Sequence, residues 1–293
     1  MMEGLVCKDI IKKYGKKTVL DQVDLSLDHG KIYGLIGRNG AGKTTLLSIM
    51  TAQNPATSGE VTCDGLPVWE NPKALDKICF SRELNPMSGM SANSMKVKEY
   101  LKIASIYFPN WDPAMADRLT RLFQLDVKKR ICKLSKGMMS MVTIIVALAS
   151  KAEFTLLDEP VAGLDVVARE QFYQILLEEF NDTGRTFLIS THIIEEAANV
   201  FEEVIMIDKG RILLKENTEE LLEKCVYVSG RDDEVDAAVR GLETHHAERI
   251  GRGKLVMAYL KEGQSVDDSR DVDIRPMTLQ QVFVALCGEE EHV

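Results

Sequence analysis

Residues 37–44 read GRNGAGKT and match the pattern G-x-x-x-x-G-K-[ST]. The segment follows an apolar run at 32–36, typical of a buried strand, and it precedes a helical pattern from Thr44 to Met50. Glycines let the backbone curl so that successive N–H groups point inward, and the helix N-terminus adds positive potential. In such a loop Lys43 reaches the β- and γ-phosphates, and Thr44 offers a hydroxyl to Mg²⁺. The segment therefore predicts a phosphate-binding loop.

Polar residues also close two other apolar runs. Asp158 and Glu159 follow the run at 154–157, and His192 follows the run at 186–190. Open α/β sheets bind ligands at the carboxyl ends of their strands. There Asp158 can hold Mg²⁺ directly or through water, Glu159 can polarise an attacking water, and His192 can sense the γ-phosphate. Taken alone, a solvated strand end and a structural histidine are the alternatives, but beside a phosphate loop these residues favour a nucleotide site.

A third segment, Leu134–Met138, precedes a long apolar helix that runs to Ala149. Ser135 can cap this helix, and Gly137 allows a phosphate to approach the backbone closely. An ordinary helix cap is the alternative explanation. The interpretation as a phosphate-binding segment is favoured only because the chain also contains the phosphate loop.

Hydrophobic periodicity predicts an α/β fold. Apolar and polar residues alternate over 4–30, which predicts short antiparallel strands, and the pattern over about 86–150 predicts helices. Further along the chain, predicted strands alternate with predicted helices, the strands at 154–157, 186–190 and 204–207 and the helices at 166–179 and 193–200. This order predicts a P-loop NTPase core, a doubly wound sheet plus an antiparallel β subdomain, with an inserted helical subdomain. We expect this unit to span 1–215. A small α+β extension then covers 216–293, with a polar loop at 264–275 and a last helix near Phe283.

Composition narrows the functional classes. The chain has 36 Lys and Arg against 45 Asp and Glu, a net charge of −9, which argues against a sequence-wide grip on nucleic acid. No run of about 18 apolar residues is present, so no membrane span is expected, and the first residues lack the pattern of a signal peptide. The six cysteines form no C-x-x-C pair, which favours reduced thiols.

These features, in this order, resemble the ATP-binding subunit of ABC transporters over roughly residues 3–215. Residues 37–44 look like its Walker A motif, 154–159 like Walker B with the catalytic glutamate, and 134–138 like the LSGGQ signature. Residues 162–165 resemble the D-loop and His192 the switch histidine. Tyr14 stands where the family places an aromatic that stacks on adenine. The signature and the C-terminal extension are most similar to bacterial exporter ATPases of the antibiotic-resistance or bacitracin-export type.

The chain departs from the family pattern at two places. The signature has Lys136 and Met138 in place of the usual Gly and Gln, but it keeps Ser135 and Gly137, the two residues that touch phosphate in the family. The family also runs a strand into a glutamine that reports on Mg²⁺ and contacts the membrane partner. Here the segment 78–82 runs into Glu83, which we expect to lie near the metal.

The resemblance implies an ATPase that uses ATP and Mg²⁺ and drives a transporter, an exporter by its similarity, through a separate transmembrane permease subunit. It implies a head-to-tail dimer, either a homodimer or a pair with a paralogous ATP-binding subunit, on the cytoplasmic face of the cell membrane and without nucleic acid. A soluble ABC ATPase that acts on ribosomes or DNA is the alternative. The resemblance assigns catalysis to Glu159 and His192 and metal binding to Thr44, Glu83 and Asp158. The implied nucleotide-binding residues are Tyr14, Gly37, Arg38, Asn39, Gly40, Ala41, Gly42, Lys43, Thr44, Thr45, Ser135 and Gly137.

Overall fold

The structure, a computed structural model, describes residues 4–84, 94–251 and 253–288. Its strands are β1 Leu5–Tyr14, β2 Lys17–Leu27, β3 Ile32–Ile36, β4 Ser58–Cys63, β5 Leu66–Pro67, β6 Ile78–Ser81, β7 Phe154–Asp158, β8 Thr186–Thr191, β9 Glu203–Asp208, β10 Arg211–Asn217, β11 Cys225–Gly230, β12 Glu243–Ile250, β13 Gly253–Tyr259 and β14 Val272–Pro276. Its helices are α1 Lys43–Met50, α2 Pro72–Leu75, α3 Val97–Tyr107, α4 Pro113–Leu122, α5 Lys136–Ala149, α6 Val166–Thr183, α7 Ile194–Ala197, α8 Thr218–Lys224, α9 Asp232–Ala238 and α10 Leu279–Cys287.

The central sheet has the strand order β10-β9-β3-β8-β7-β6, and β10 alone runs antiparallel to its neighbour. Every residue of β3, β7 and β8 is buried, as expected for parallel strands with both faces covered. The carboxyl ends of these three strands meet at one edge of the sheet. The phosphate loop, the acidic pair and His192 follow those ends, so the predicted doubly wound core is confirmed.

A second sheet, with the order β2-β1-β4-β5, is antiparallel throughout. Its apolar side chains pack in one core with α1, and Leu5, Ile10 and Leu20 are fully buried there. This sheet is the predicted antiparallel β subdomain.

Helices α3, α4 and α5 lie between β6 and β7 in the chain, and part of the predicted segment, residues 85–93, lies outside the described residues. Proline begins α4 directly after Asp112, whose carboxylate accepts a hydrogen bond from the Met115 amide and caps the helix. The long apolar helix α5 packs against β6, β7 and the neighbouring helices. The inserted helical subdomain is therefore present.

The C-terminal residues form a four-stranded antiparallel sheet, β12-β13-β11-β14. One face of it packs with α9 in a core of its own around Val228 and Val256, and the other joins the central core through Cys225 and Met257. The prediction of a loop over 264–275 is wrong at its end, because β14 begins at Val272 and pairs with β11. The helix predicted at 193–200 is α7 followed by a 3₁₀ turn.

Within the described ranges, the structure contains no helix with the length and hydropathy needed to cross a membrane.

Candidate functional site

The phosphate loop requires glycine at two positions for steric reasons. A Cβ at Gly37 would lie 2.5 Å from the carbonyl oxygen of Ile207, so the loop runs too close to β9 for a side chain. Gly42 has a φ of 113°, and a Cβ there would meet the Leu20 side chain at 2.7 Å. Between them Arg38 and Asn39 are exposed. The loop is therefore fixed by its neighbours at both ends and open to solvent in its middle.

The Lys43 side chain is folded back into this loop. Its Nζ donates hydrogen bonds to the carbonyl oxygens of Gly37 at 2.6 Å and of Arg38 at 3.4 Å. Burial lowers the pKa of Lys43, and the nearby carboxylates of Glu159 and Asp158 oppose that shift. The ammonium is thus held by groups that phosphate oxygens can replace, beside the acidic pair that closes β7.

Asp158 is buried, and Ser190 Oγ donates a hydrogen bond of 2.6 Å to its Oδ1. Ser190 stands one residue before the end of β8, and sequence reasoning assigned it no role. The signal that could have identified it is a polar side chain near the carboxyl end of an apolar strand. Thr44 is exposed in the first turn of α1, and Thr45 beside it is half-buried. A carboxylate and hydroxyl groups are the hard oxygen ligands that Mg²⁺ prefers, so this donor set fits the ion.

Glu159 and His192 contact each other at the same sheet edge. His192 Nδ1 lies 2.6 Å from Glu159 Oε2, and the His192 side chain is 57% exposed. Glu159 has a φ of 51°, uncommon for a residue with a side chain, and its amide donates to the Ser190 carbonyl at 3.0 Å. This turn takes the carboxylate out of the line of β7 and towards the histidine. The structure therefore brings both predicted catalytic residues together.

A cavity of about 360 Å³ opens between the phosphate loop and the segment that carries His192. The residues that line it are Gly37, Arg38, Asn39, His192, Ile194 and Phe283. Phe283 belongs to α10, at the far end of the chain, and sequence reasoning did not place it here.

Tyr14 ends β1, and its side chain is half exposed. Its hydroxyl accepts a hydrogen bond of 2.6 Å from Asn54 Nδ2, and Lys12 Nζ lies 4.9 Å from the ring centre. The ring is held at its edge and remains open to solvent, as a stacking platform for a base requires.

Tyr14→Ala should weaken the binding of ATP and GTP alike. Stacking of a base on an aromatic ring is worth ~1–3 kcal/mol and tolerates any base, so we expect a loss of roughly 5- to 150-fold. Titration with fluorescent analogues of both nucleotides measures it. Tyr14→Trp should bind normally, and Asn54→Ala, which removes the hydrogen bonds of Asn54 to the Tyr14 hydroxyl and to Lys12 but keeps the ring, is the matched control. Normal binding by Tyr14→Ala would make this ring a packing residue.

The signature segment is joined to the D-loop of the same chain. Ser135 caps α5 by accepting from the Met138 amide at 3.2 Å, and Ser140 Oγ donates to the Ala162 carbonyl at 2.6 Å. A Cβ at Gly137 would lie 2.5 Å from the carbonyl oxygen of Gly163. Gly137 and Ser140 therefore lie against the D-loop, whereas the residues that line the cavity come from the phosphate loop, from the switch segment (residues 192–194) and from α10.

Lys136 and Glu83, which both depart from the family pattern, contact each other. Lys136 Nζ lies 3.3 Å from Glu83 Oε1, and both side chains are about half exposed. The stem of Lys136 also passes over Gly163, where a Cβ would meet its Cγ at 2.7 Å. The carboxylate of Glu83 thus has a cation beside it that the family pattern lacks. A metal role for Glu83 stays a prediction.

Glu83→Gln should bind ATP better than the wild type without Mg²⁺ and equally well at saturating Mg²⁺. The prediction assumes that the Glu83 carboxylate lies near Asp158 and Glu159, where it would repel them and the nucleotide until the ion is bound. Nucleotide titration with and without EDTA measures the difference. Lys136→Gln is the control, since it removes the ion-pair partner and keeps the carboxylate. Identical metal dependence in wild type and Glu83→Gln would mean that Glu83 does not act on the ion.

Comparison with known proteins identifies the family and the relatives of this chain. The family model described as "ABC transporter" matches residues 20–162. The lantibiotic transport ATP-binding protein SrtF of Streptococcus pyogenes is 30% identical over 234 residues, which cover 78% of this chain and 99% of that protein. The Nod factor export ATP-binding protein I of Cupriavidus metallidurans is 29% identical over 302 residues, which cover 98% of this chain and 98% of that protein.

Solved structures agree on the fold. The ATP-binding subunit of an ABC transporter superposes with a TM-score of 0.66 at 24% identity, over 75% of this chain and 92% of that one. A dimeric ATP-binding cassette in a post-hydrolysis state, bound to ADP and phosphate, superposes with a TM-score of 0.62 at 23% identity, over 73% and 98%. The chain therefore belongs to the ATP-binding proteins of ABC transporters, and it is an ATPase of that family.

Proposed function

We propose that this chain hydrolyses ATP to drive an exporter through a separate transmembrane permease subunit. The observation that carries the proposal is the meeting of Lys43, Asp158, Glu159 and His192 at one edge of the central sheet. The direction of transport rests on relatives whose names state lantibiotic transport and Nod factor export. A ribosome- or DNA-directed ATPase is not favoured, because the net charge is −9 and the relatives are transport proteins.

Nucleotide binding begins with the phosphate loop. The ammonium of Lys43 would exchange the carbonyls of Gly37 and Arg38 for β- and γ-phosphate oxygens, while the backbone N–H groups of 38–44 donate to the phosphates. Tyr14 would stack on the base. Because the loop is already shaped by Gly37 and Gly42, little rearrangement opposes binding.

Hydrolysis then depends on positioning and on electrostatic stabilisation. Thr44 and Asp158 would hold Mg²⁺, which when bound neutralises charge on the phosphate oxygens. Glu159 would accept a hydrogen bond from the attacking water and orient it. His192 would donate to the γ-phosphate end after parting from Glu159, to which it is bonded here.

A second copy of the chain would complete the site. Ser135 and Lys136 are exposed at the start of α5, and Val166 and Val167, directly after the D-loop, are 69% and 68% exposed. Two adjacent exposed valines favour a protein interface. We propose that ATP lies between the phosphate loop of one copy and Ser135–Gly137 of the other, in a head-to-tail dimer.

The permease would dock on the helical subdomain, where Ile106 and Tyr107 at the end of α3 are 73% and 75% exposed. Such large apolar side chains on a surface favour an interaction site. This docking would hold the chain at the cytoplasmic face of the membrane. In this proposal residues 1–215 are the ATP-binding cassette and 216–293 an accessory domain.

Affinity capture of the tagged chain from detergent-solubilised cells tests the proposal. Mass spectrometry should identify an integral membrane protein with several spans, present in stoichiometric amount. Ribosomal proteins or nucleic acid in that amount, with no membrane protein, would contradict it.

A further inference from the structure

Helix α10, the last described element of the chain, packs into the core of the cassette. Leu279, Val282 and Ala285 on its buried side share a core with Ile194 and Ala197 of α7. The core between the C-terminal sheet and α9 is a separate cluster. The final helix of the accessory domain is therefore fixed to the segment that directly follows the switch histidine.

The same helix reaches the phosphate loop. Phe283 lines the cavity together with Arg38, Asn39 and His192. Cys287, one turn further along α10, is buried. Burial raises the pKa of its thiol to about 11, the Asp208 carboxylate adds to the rise, and Arg38 opposes it. The turn of α10 that carries Phe283 thus lies beside the phosphate loop and His192.

The position of His192 depends on this packing. His192 stands between Thr191, the last residue of β8, and Ile194, the first of α7. Its side chain is 57% exposed, whereas Ile194 is 3% exposed in the core that α10 shares. The packing on α7 therefore limits where the imidazole can lie, and Phe283 lines the same cavity as His192 and Ile194.

We propose that Phe283 is a positioning residue for His192: α10 holds the switch segment against the phosphate loop, and the C-terminal domain acts on hydrolysis through this contact. The proposal rests on the role of His192 given above. It gives the accessory domain a direct route to the nucleotide site of its own chain. Phe283 acts on the chemistry through His192, without touching the reacting atoms.

Phe283→Ala should lower kcat by on the order of 10- to 10²-fold, as expected for a displaced catalytic group, and leave the KM for ATP within about twofold. Phe283→Leu, which keeps apolar bulk, should restore most of kcat. Val284→Ala is the matched control, because Val284 lies on the same helix and is 47% exposed. An unchanged kcat in Phe283→Ala would overturn the proposal. An increased kcat would also overturn it, because α10 would then inhibit hydrolysis.

A double-variant experiment separates positioning from general stability. In a His192→Ala background, Phe283→Ala should cause no further loss of kcat, since the residue it positions is gone. An equal loss in both backgrounds would overturn the proposal and leave the role of His192 intact. Full turnover by His192→Ala alone would instead overturn the proposed role of His192, and this inference with it. If Phe283→Ala does not fold, Phe283→Val, whose smaller side chain leaves part of the site of the ring empty, replaces it in the two backgrounds, with a loss of kcat expected only where His192 is present.

Discussion

Glu159→Gln should lower ATP turnover by 10²-fold or more, on the order expected for the loss of a positioned base. The carboxylate lies at the end of β7, 2.6 Å from His192 and beside Lys43. An amide keeps the shape but accepts a proton poorly, so the attacking water would lose its orienting partner. Phosphate release measures turnover, and binding of a fluorescent ATP analogue in the presence of Mg²⁺ should be unchanged.

Glu195→Gln is the matched control for this substitution. Glu195 is an exposed acid in the first turn of α7, close to His192 in the chain, and its loss should leave turnover within about twofold. If Glu159→Gln hydrolyses ATP at the wild-type rate, another group orients the water.

Lys43→Ala should weaken ATP binding at physiological salt by on the order of 10²-fold or more. Lys43 is 7% exposed, and in our proposal its ammonium is the positive charge that binds the β- and γ-phosphates. Charge-assisted hydrogen bonds in a partly dry site are worth about 1.5–3 kcal/mol each, so losing two of them weakens binding on the order of 10²-fold or more. Titration with the fluorescent analogue measures the loss.

The control for Lys43→Ala is Lys16→Ala, which removes an exposed lysine between β1 and β2. It should bind ATP normally and unfold at the same temperature as the wild type. Wild-type affinity in Lys43→Ala would contradict the assignment of 37–44 as the nucleotide loop.

The central sheet, and the edge of it that carries the candidate site residues, could be predicted because both follow from local sequence patterns. The apolar runs at 32–36, 154–157 and 186–190 are short and fully buried, and parallel strands of that kind place their carboxyl ends together. Each run is followed by a chemically distinctive residue, so the meeting of Lys43, Glu159 and His192 needed no knowledge of tertiary contacts.

The contacts across distant parts of the chain could not be predicted in this way. Phe283 reaches the phosphate loop because the apolar side of α10 packs on α7, and nothing in the sequence near Phe283 signals that partner. The pair of Lys136 with Glu83 depends in the same way on how α5 packs beside β6. Strand β14 was missed because Val272–Pro276 is mostly exposed and polar, and it gains its order from pairing with β11.

The molar mass of Glu159→Gln in solution tests the central claim, a site shared by two copies of the chain, most directly. Light scattering after gel filtration should give the mass of one chain without nucleotide and twice that mass with ATP and Mg²⁺, because trapped ATP bridges the phosphate loop of one copy and Ser135 of the other. Lys43→Ala in the same background should stay a monomer. A Glu159→Gln chain that binds ATP and remains a monomer would contradict a site shared by two identical copies and point to a paralogous partner.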